Sequence, residues 1–220
     1  MYSSQMLAPD VLAFTAPQTF FGLEIGTRMT VIRTRGDLAL YSPIAGMPAM
    51  LPLLGKPRWV LAPSRMHHLY VGEWMNRGLE SWAAPGLAEK RTDVTFDHVV
   101  SETCTPFGDD VLLIPLRCFS LTNEVVMFHR PSRTLVVTDL VFHFTHHDTR
   151  LTRAAMACSL AYPGCRVSML ERVGMKRDIA KQEIADLLDL DFDRLVMAHG
   201  AVIETGGKEA LRSAYSWLGL

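Results

Sequence analysis

Arg133-Thr-Leu-Val-Val-Thr-Asp139 and Arg194-Leu-Val-Met-Ala-His-Gly200 decide how this chain folds. Each is a short apolar run, rich in β-branched residues, that reads as a buried strand. Each also delivers one metal-competent side chain, Asp139 or His199, at its carboxyl end. Pocket chemistry collects where strands run out into loops, so the two groups are expected to converge although they lie far apart along the chain.

Working outward, Glu124-Val-Val-Met-Phe-His129 leads into the first run through the turn Arg130-Pro-Ser-Arg133, and Asp110-Val-Leu-Leu-Ile-Pro-Leu116 lies before it. These runs are apolar on both faces, as in strands covered on both sides, whereas a solvent-facing strand alternates polar and apolar. Upstream, Met29–Thr34 and Asp37–Ser42, joined by Arg35-Gly36, predict a hairpin. Pro48 to Leu54 predicts a short helix ended by Gly55, and Trp59–Pro63 a buried strand followed by a helix over 69–79. Downstream, Asp178 is expected to cap a helix to Leu188, and Gly206 to Leu218 reads as a closing amphipathic helix. Residues 1–28, with Pro9 and Pro17, read as an irregular N-terminal extension packed on the body, which leaves 29–220 as one α/β domain without repeat or linker.

Composition narrows the function. At 220 residues and 49% hydrophobic, the chain can bury a large core. Twenty-two basic residues against 23 acidic give a net charge of -1, so there is no field to hold a polyanion and nucleic acid is not an expected partner. The longest uncharged run, Leu38 to Gly55, contains Pro43, Pro48 and Pro52 and is not expected to span a membrane. The start lacks a basic segment followed by an apolar stretch, so a cytoplasmic location is expected. Cys104, Cys118, Cys158 and Cys165 show no C-x-x-C pair and read as reduced thiols, and the 12 methionines as core filler.

His67 and His68 follow the strand that ends at Pro63, the same kind of strand end that carries Asp139 and His199. Imidazole plus carboxylate is the ligand set of zinc, iron or manganese, and three such groups with an open position lower the pKa of a bound water. Adjacent residues diverge in direction, so His67 and His68 are not expected to share one ion. His98 and His129 read as ordinary hydrogen-bonded histidines. Asp139 alone could instead cap a turn, and His199 could bond the backbone near Gly200; their joint placement favours a site.

With Ser64-Arg-Met-His-His-Leu-Tyr-Val-Gly72 after an early strand, Thr138-Asp139 after a later one and Ala198-His-Gly200 near the end, residues 29–220 resemble the metallo-β-lactamase superfamily. Through Leu40-Tyr-Ser-Pro43, His67-His68, Glu73-Trp74 and Ser132–Asp139 the chain looks most like a group of bacterial and plastid proteins known only as a domain of unknown function. The resemblance implies a four-layer αββα sandwich with a metal site at one edge. The superfamily motif H-x-H-x-D-H falls on Arg65, His67, Leu69 and Tyr70, so of four ligand positions only His67 keeps a ligand, and no histidine stands near Cys118 to Thr122 where the family has one. Asp139 matches the family's bridging carboxylate and His199 its last histidine ligand.

The set implied is therefore His67, Asp139 and His199 for one divalent metal, zinc first, with iron or manganese as alternatives and His67 and Asp139 as the catalytic pair. Such a site implies a hydrolase that turns a single metal-bound hydroxide on an ester, thioester or lactone. His68, or His143 and His147 in the segment Phe142–Asp148, are additional candidates. Arg65 in a former ligand position supports an alternative, a degenerate non-catalytic relative that binds a small molecule or a partner chain, without metal, with Arg65 pairing Asp139 or an anionic ligand. Iron-based redox chemistry is a third reading. A small-molecule substrate and self-association into a homo-oligomer complete the expectations.

Overall fold

A computed structural model describes residues 2–146 and 148–220. Strands and helices run in chain order as β1 (Ser3–Ala8), β2 (Val11–Ala16), β3 (Thr19–Phe20), β4 (Leu23–Glu24), β5 (Thr27–Thr34), β6 (Asp37–Tyr41), α1 (Leu51–Leu54), β7 (Lys56–Ala62), α2 (Val71–Met75), β8 (Glu80–Ala83), α3 (Leu87–Lys90) and β9 (His98–Val99). There follow β10 (Val111–Pro115), β11 (Val125–His129), β12 (Thr134–Val136), β13 (Phe142–Phe144), α4 (Arg150–Cys158), β14 (Gly164–Arg166), α5 (Met169–Gly174), α6 (Arg177–Asp189), β15 (Arg194–Val196) and α7 (Gly207–Ala214). One sheet has the order β1-β2-β5-β6-β7-β8-β9 and a second β10-β11-β12-β15.

The two sheets face each other, and the alternation of side chains along each strand builds three apolar layers. Ile32, Tyr41 and Leu61 of the first sheet meet Leu113, Met127 and Val196 of the second in the middle layer. The opposite faces are covered by helices: Val31, Leu40 and Val60 pack with Leu51, Val71 and Trp74, while Phe128, Leu135 and Leu195 pack with Ile184, Leu187 and Leu211. This is why β11 and β12 are buried at every position and read as continuous apolar runs. The result is the expected αββα sandwich.

The β5–β6 hairpin forms as its sequence predicts, with Thr34 opposite Asp37 and both turn residues, Arg35 and Gly36, at positive φ. From β6 onward the first sheet is parallel, since α1, α2 and α3 carry the chain back between strands.

Three expectations are corrected. Residues 3–16 are not irregular: β1 and β2 pair antiparallel and β2 joins β5. Phe14 faces the outer helices and Ala13 the inter-sheet layer, while Pro9 and Pro17 flank β2 without interrupting it. Asp178 does not cap its helix; the cap is Lys176, and Asp178 sits in the first turn, where a carboxylate suits the positive end of the helix dipole. The helix expected over 69–79 spans only Val71–Met75, and the chain turns at Gly78 with φ of 81°.

Candidate metal centre

β7 belongs to the first sheet, β12 and β15 to the second, and all three run out at the same edge of the sandwich. His67 follows β7, Asp139 follows β12 and His199 follows β15, so the centre straddles both sheets. One donor atom from each of these three residues lies within 4.8 Å of the others, and among the described residues no other group of three histidine, cysteine, aspartate or glutamate side chains is gathered this way. Nε2 of His67 is 3.3 Å and Nε2 of His199 3.6 Å from Oδ1 of Asp139. Their side chains are only 9%, 7% and 12% exposed in the order His67, His199, Asp139.

Each ring is held by its other nitrogen. Nδ1 of His199 donates to the Gly26 carbonyl at 2.7 Å, which leaves the Nε2 lone pair of the neutral ring facing the centre. Nδ1 of His67 meets the Ser42 hydroxyl at 3.0 Å, and the Ser64 hydroxyl accepts the backbone N–H groups of Met66 and His67 to fix the loop beneath. Two buried charged residues tie down the remaining loops. The Glu124 carboxylate accepts the backbone N–H of Thr138 through Oε1 and that of Asp139 at 2.9 Å through Oε2. The Arg28 guanidinium donates to the carbonyls of Met197 and, at 2.7 Å, Gly200, on either side of His199.

The electrostatics follow from burial and from the one central carboxylate. Burial opposes charge on His67, but the Asp139 carboxylate outweighs it and the net shift is upward. Burial likewise opposes ionisation of Asp139, yet the charge and hydrogen bond of His67, with help from His199, carry it below its ordinary value. His199 is pushed down to about 4, first by burial and then by His67. Glu124 is raised to about 7 by burial and by the charge of Asp139. Burial lowers Arg28 to about 10.

The other candidate residues lie elsewhere. Nδ1 of His68 accepts from Nη1 of Arg91 at 3.1 Å, and the ring is held down to about 4 by burial and by the cations of Lys90 and Arg91. His143, on β13, donates through Nδ1 to the Ala201 carbonyl at 3.1 Å, so it braces the loop after His199 and is not gathered with the three donors. His147 lies outside the described residues. Nη1 of Arg65 donates to the Ser120 carbonyl at 3.2 Å, and among the described residues Arg65 forms no ion pair with Asp139. His98 and His129 are ordinary, as expected: His98 stacks on Trp82, and His129 meets the Ser132 hydroxyl.

Sequence reasoning missed Ser42, Ser64, Arg28 and Glu124. A signal existed for two of them, since a charged residue inside or at the mouth of an otherwise buried apolar strand has to satisfy something.

No family model and no curated protein matches the chain. Solved structures do. A metallo-β-lactamase from Pontibacter korlensis superposes with a TM-score of 0.69 at 12% identity over 97% of this chain and 98% of its own. The chain has the metallo-β-lactamase fold. A metallo-β-lactamase from Hirschia baltica gives 0.69 at 11% identity over 99% and 97%, and one from Pseudomonas aeruginosa, solved in a mono-zinc form, gives 0.67 at 11% over 97% and 94%. Within this metallo-β-lactamase fold, the donor set fits a divalent ion. Two neutral-capable imidazoles and one ionised carboxylate converge, and the outward nitrogen of each ring is engaged, as metal-ligating histidines require.

Proposed function

We propose that this chain is a metal-dependent hydrolase of an ester, thioester or lactone, working with a single divalent ion. The observation that carries the reading is the convergence of His67, Asp139 and His199 at the sandwich edge with both imidazoles braced from behind. A bound divalent ion supplies Lewis acidity, which brings the pKa of a nearby water to about 7. His67 and His199 would hold it through Nε2 and Asp139 through Oδ1. Zinc suits the set best, and iron or manganese is accepted by the same donors. Asp139, kept ionised by His67, is also the group placed to accept and return a proton at its carboxylate during hydrolysis. The enclosure of the three side chains limits bulk water, which strengthens every charge–dipole interaction within.

The substrate is proposed to be a small molecule, the location the cytoplasm and the assembly a homo-oligomer; no helix among the described residues is long and apolar enough to cross a membrane. Kinship to the group known only as a domain of unknown function, with its depleted ligand motif, is part of the same proposal.

One observation favours a second reading, a degenerate relative that binds a small molecule or partner without catalysis. His67 and Asp139 already bond each other at 3.3 Å, a stable arrangement without metal. Metal content per chain, measured without added metal and again for Asp139→Asn, separates the two. Close to one ion per wild-type chain, lost in the variant and accompanied by turnover on an ester, thioester and lactone panel, supports the hydrolase. Metal-free protein inert to added zinc, iron and manganese ends that reading.

A further inference from the structure

Glu124 and Arg28 are charged side chains exposed by only 3% and 8%, and neither touches an oppositely charged side chain among the described residues. Taking an ion out of water without a counter-ion is strongly unfavourable, and an apolar residue of similar volume at either position serves packing better. Their contacts show what balances that cost. β12 and β15 run parallel, with Val136 opposite Val196, and their last ladder bond joins the Val137 N–H to the Val196 carbonyl. Beyond it the two chains part to carry Asp139 and His199 to the centre, and their backbone groups lose their strand partners. Glu124, at the entrance of β11, takes up two amides on the Asp139 side. Arg28, on β5 of the opposite sheet, takes up two carbonyls on the His199 side.

We propose that Glu124 and Arg28 are paired positioning residues, an anionic and a cationic clamp of opposite polarity that set the separation of Asp139 and His199 and thereby the affinity of the centre for its ion; this rests on the metal-centre reading above. Each clamp spans two backbone groups, so it fixes both the position and the tilt of the loop, and bonds from an ionised group are shorter and stronger than neutral ones. Carboxylate Oδ1 of Asp139 and Nε2 of His199, 3.6 Å apart, are the two atoms whose spacing the clamps set.

Cobalt(II) is the probe, because its visible spectrum reports ligand geometry and its affinity can be read by chelator competition. Glu124→Gln, which is isosteric but sets an amide N–H against a backbone N–H, and Arg28→Met, which keeps the bulk and loses both bonds, are expected to weaken cobalt binding about 10- to 100-fold and to change the visible bands. Arg28→Lys, reaching one carbonyl, restores part of the loss; it and Glu124→Gln decide the matter if Arg28→Met does not fold. Leu135→Ala, a fully buried core position on β12, is the control: it lowers the unfolding midpoint and leaves cobalt affinity and spectrum unchanged. If wild type takes cobalt and the clamp variants bind within twofold with the same spectrum, the clamps are refuted and the centre stands. If wild type takes no cobalt, the metal-centre reading falls and the clamps fall with it.

Discussion

The imidazoles of His67 and His199 stand 5.0 Å apart, centroid to centroid, at an interplanar angle of 55°, and both present Nε2 to one oxygen of Asp139. Rings placed for packing alone would be free to settle stacked or edge-on. Here each is held by a bond at its Nδ1, with the Ser42 hydroxyl on one side and the Gly26 carbonyl on the other, and the tilt brings the two Nε2 atoms toward a common point.

That convergence predicts how the folded state responds to metal. Zinc added at about 100-fold above its Kd stabilises the wild type by about 2.7 kcal/mol, because the unfolded chain cannot gather the three donors. For a chain of this length that is a rise of roughly 5–10 °C in Tm. His199→Ala and Asp139→Asn are expected to abolish the rise. Calorimetry with and without zinc checks it, and an undiminished shift in either variant would mean the ion binds elsewhere.

His143 tests the site from the other direction. It is as metal-competent as His199 by residue type, and its Nδ1 is likewise bonded to a backbone carbonyl, that of Ala201, but it is not gathered with the three donors. His143→Ala is therefore expected to leave metal content per chain unchanged and to cost no more than about 1 kcal/mol, the worth of one neutral hydrogen bond. Elemental analysis showing a parallel loss of metal would make His143 a fourth ligand.

Much of this architecture was legible in the chain because burial on both faces leaves an unmistakable mark on a strand: Val125–His129 and Thr134–Val136 have no polar alternation to hide. Asp139, His199 and His67 were legible for a related reason, each being a polar residue just past an apolar run. Residues 3–16 were misread because β1 lies at the edge of its sheet, where Ser3, Ser4 and Gln5 face solvent and carry no apolar signature. Glu124 and Arg28 were illegible as clamps because their partners are backbone groups on other strands, a relation set by three-dimensional packing and absent from local pattern. Arg65 shows the converse: its place in a motif suggested a role beside Asp139, but its guanidinium reaches the Ser120 carbonyl.

The buried histidine next to the centre gives a pH prediction. His68 is ordinarily half-protonated near 6.5, and burial with Lys90 and Arg91 nearby brings it to about 4 in the folded chain. A base with a depressed folded pKa stays neutral while the unfolded chain takes up a proton. Its stability is intact above about 6.5 and falls as pH drops from 6.5 toward 4. In that window the wild type is expected to lose up to about 1.4 kcal/mol per pH unit more than His68→Gln, the slope of one proton. Urea unfolding at pH 7, 5.5 and 4.5 measures it; parallel slopes for the two proteins would show that His68 ionises freely in the fold.

Gly200 and Gly36 share a φ of 84° but not a neighbourhood, and the contrast separates backbone strain from crowding. A Cβ on Gly36 meets nothing within 4 Å, so Gly36→Ala is charged only with the left-handed backbone, about 1–2 kcal/mol. A Cβ on Gly200 would run into the carbonyl of His143 and stand 3.1 Å from the Phe144 nitrogen, and both atoms belong to a strand that cannot retreat without leaving β14. Gly200→Ala is therefore expected to cost at least about 2 kcal/mol more than Gly36→Ala. It should also shift His199, whose ring is one residue away, and weaken metal binding, which Gly36→Ala leaves alone. Paired denaturation curves and metal titrations of the two variants make the comparison, and equal losses in stability with equal metal affinity would show that β13 does not press on the loop that carries His199.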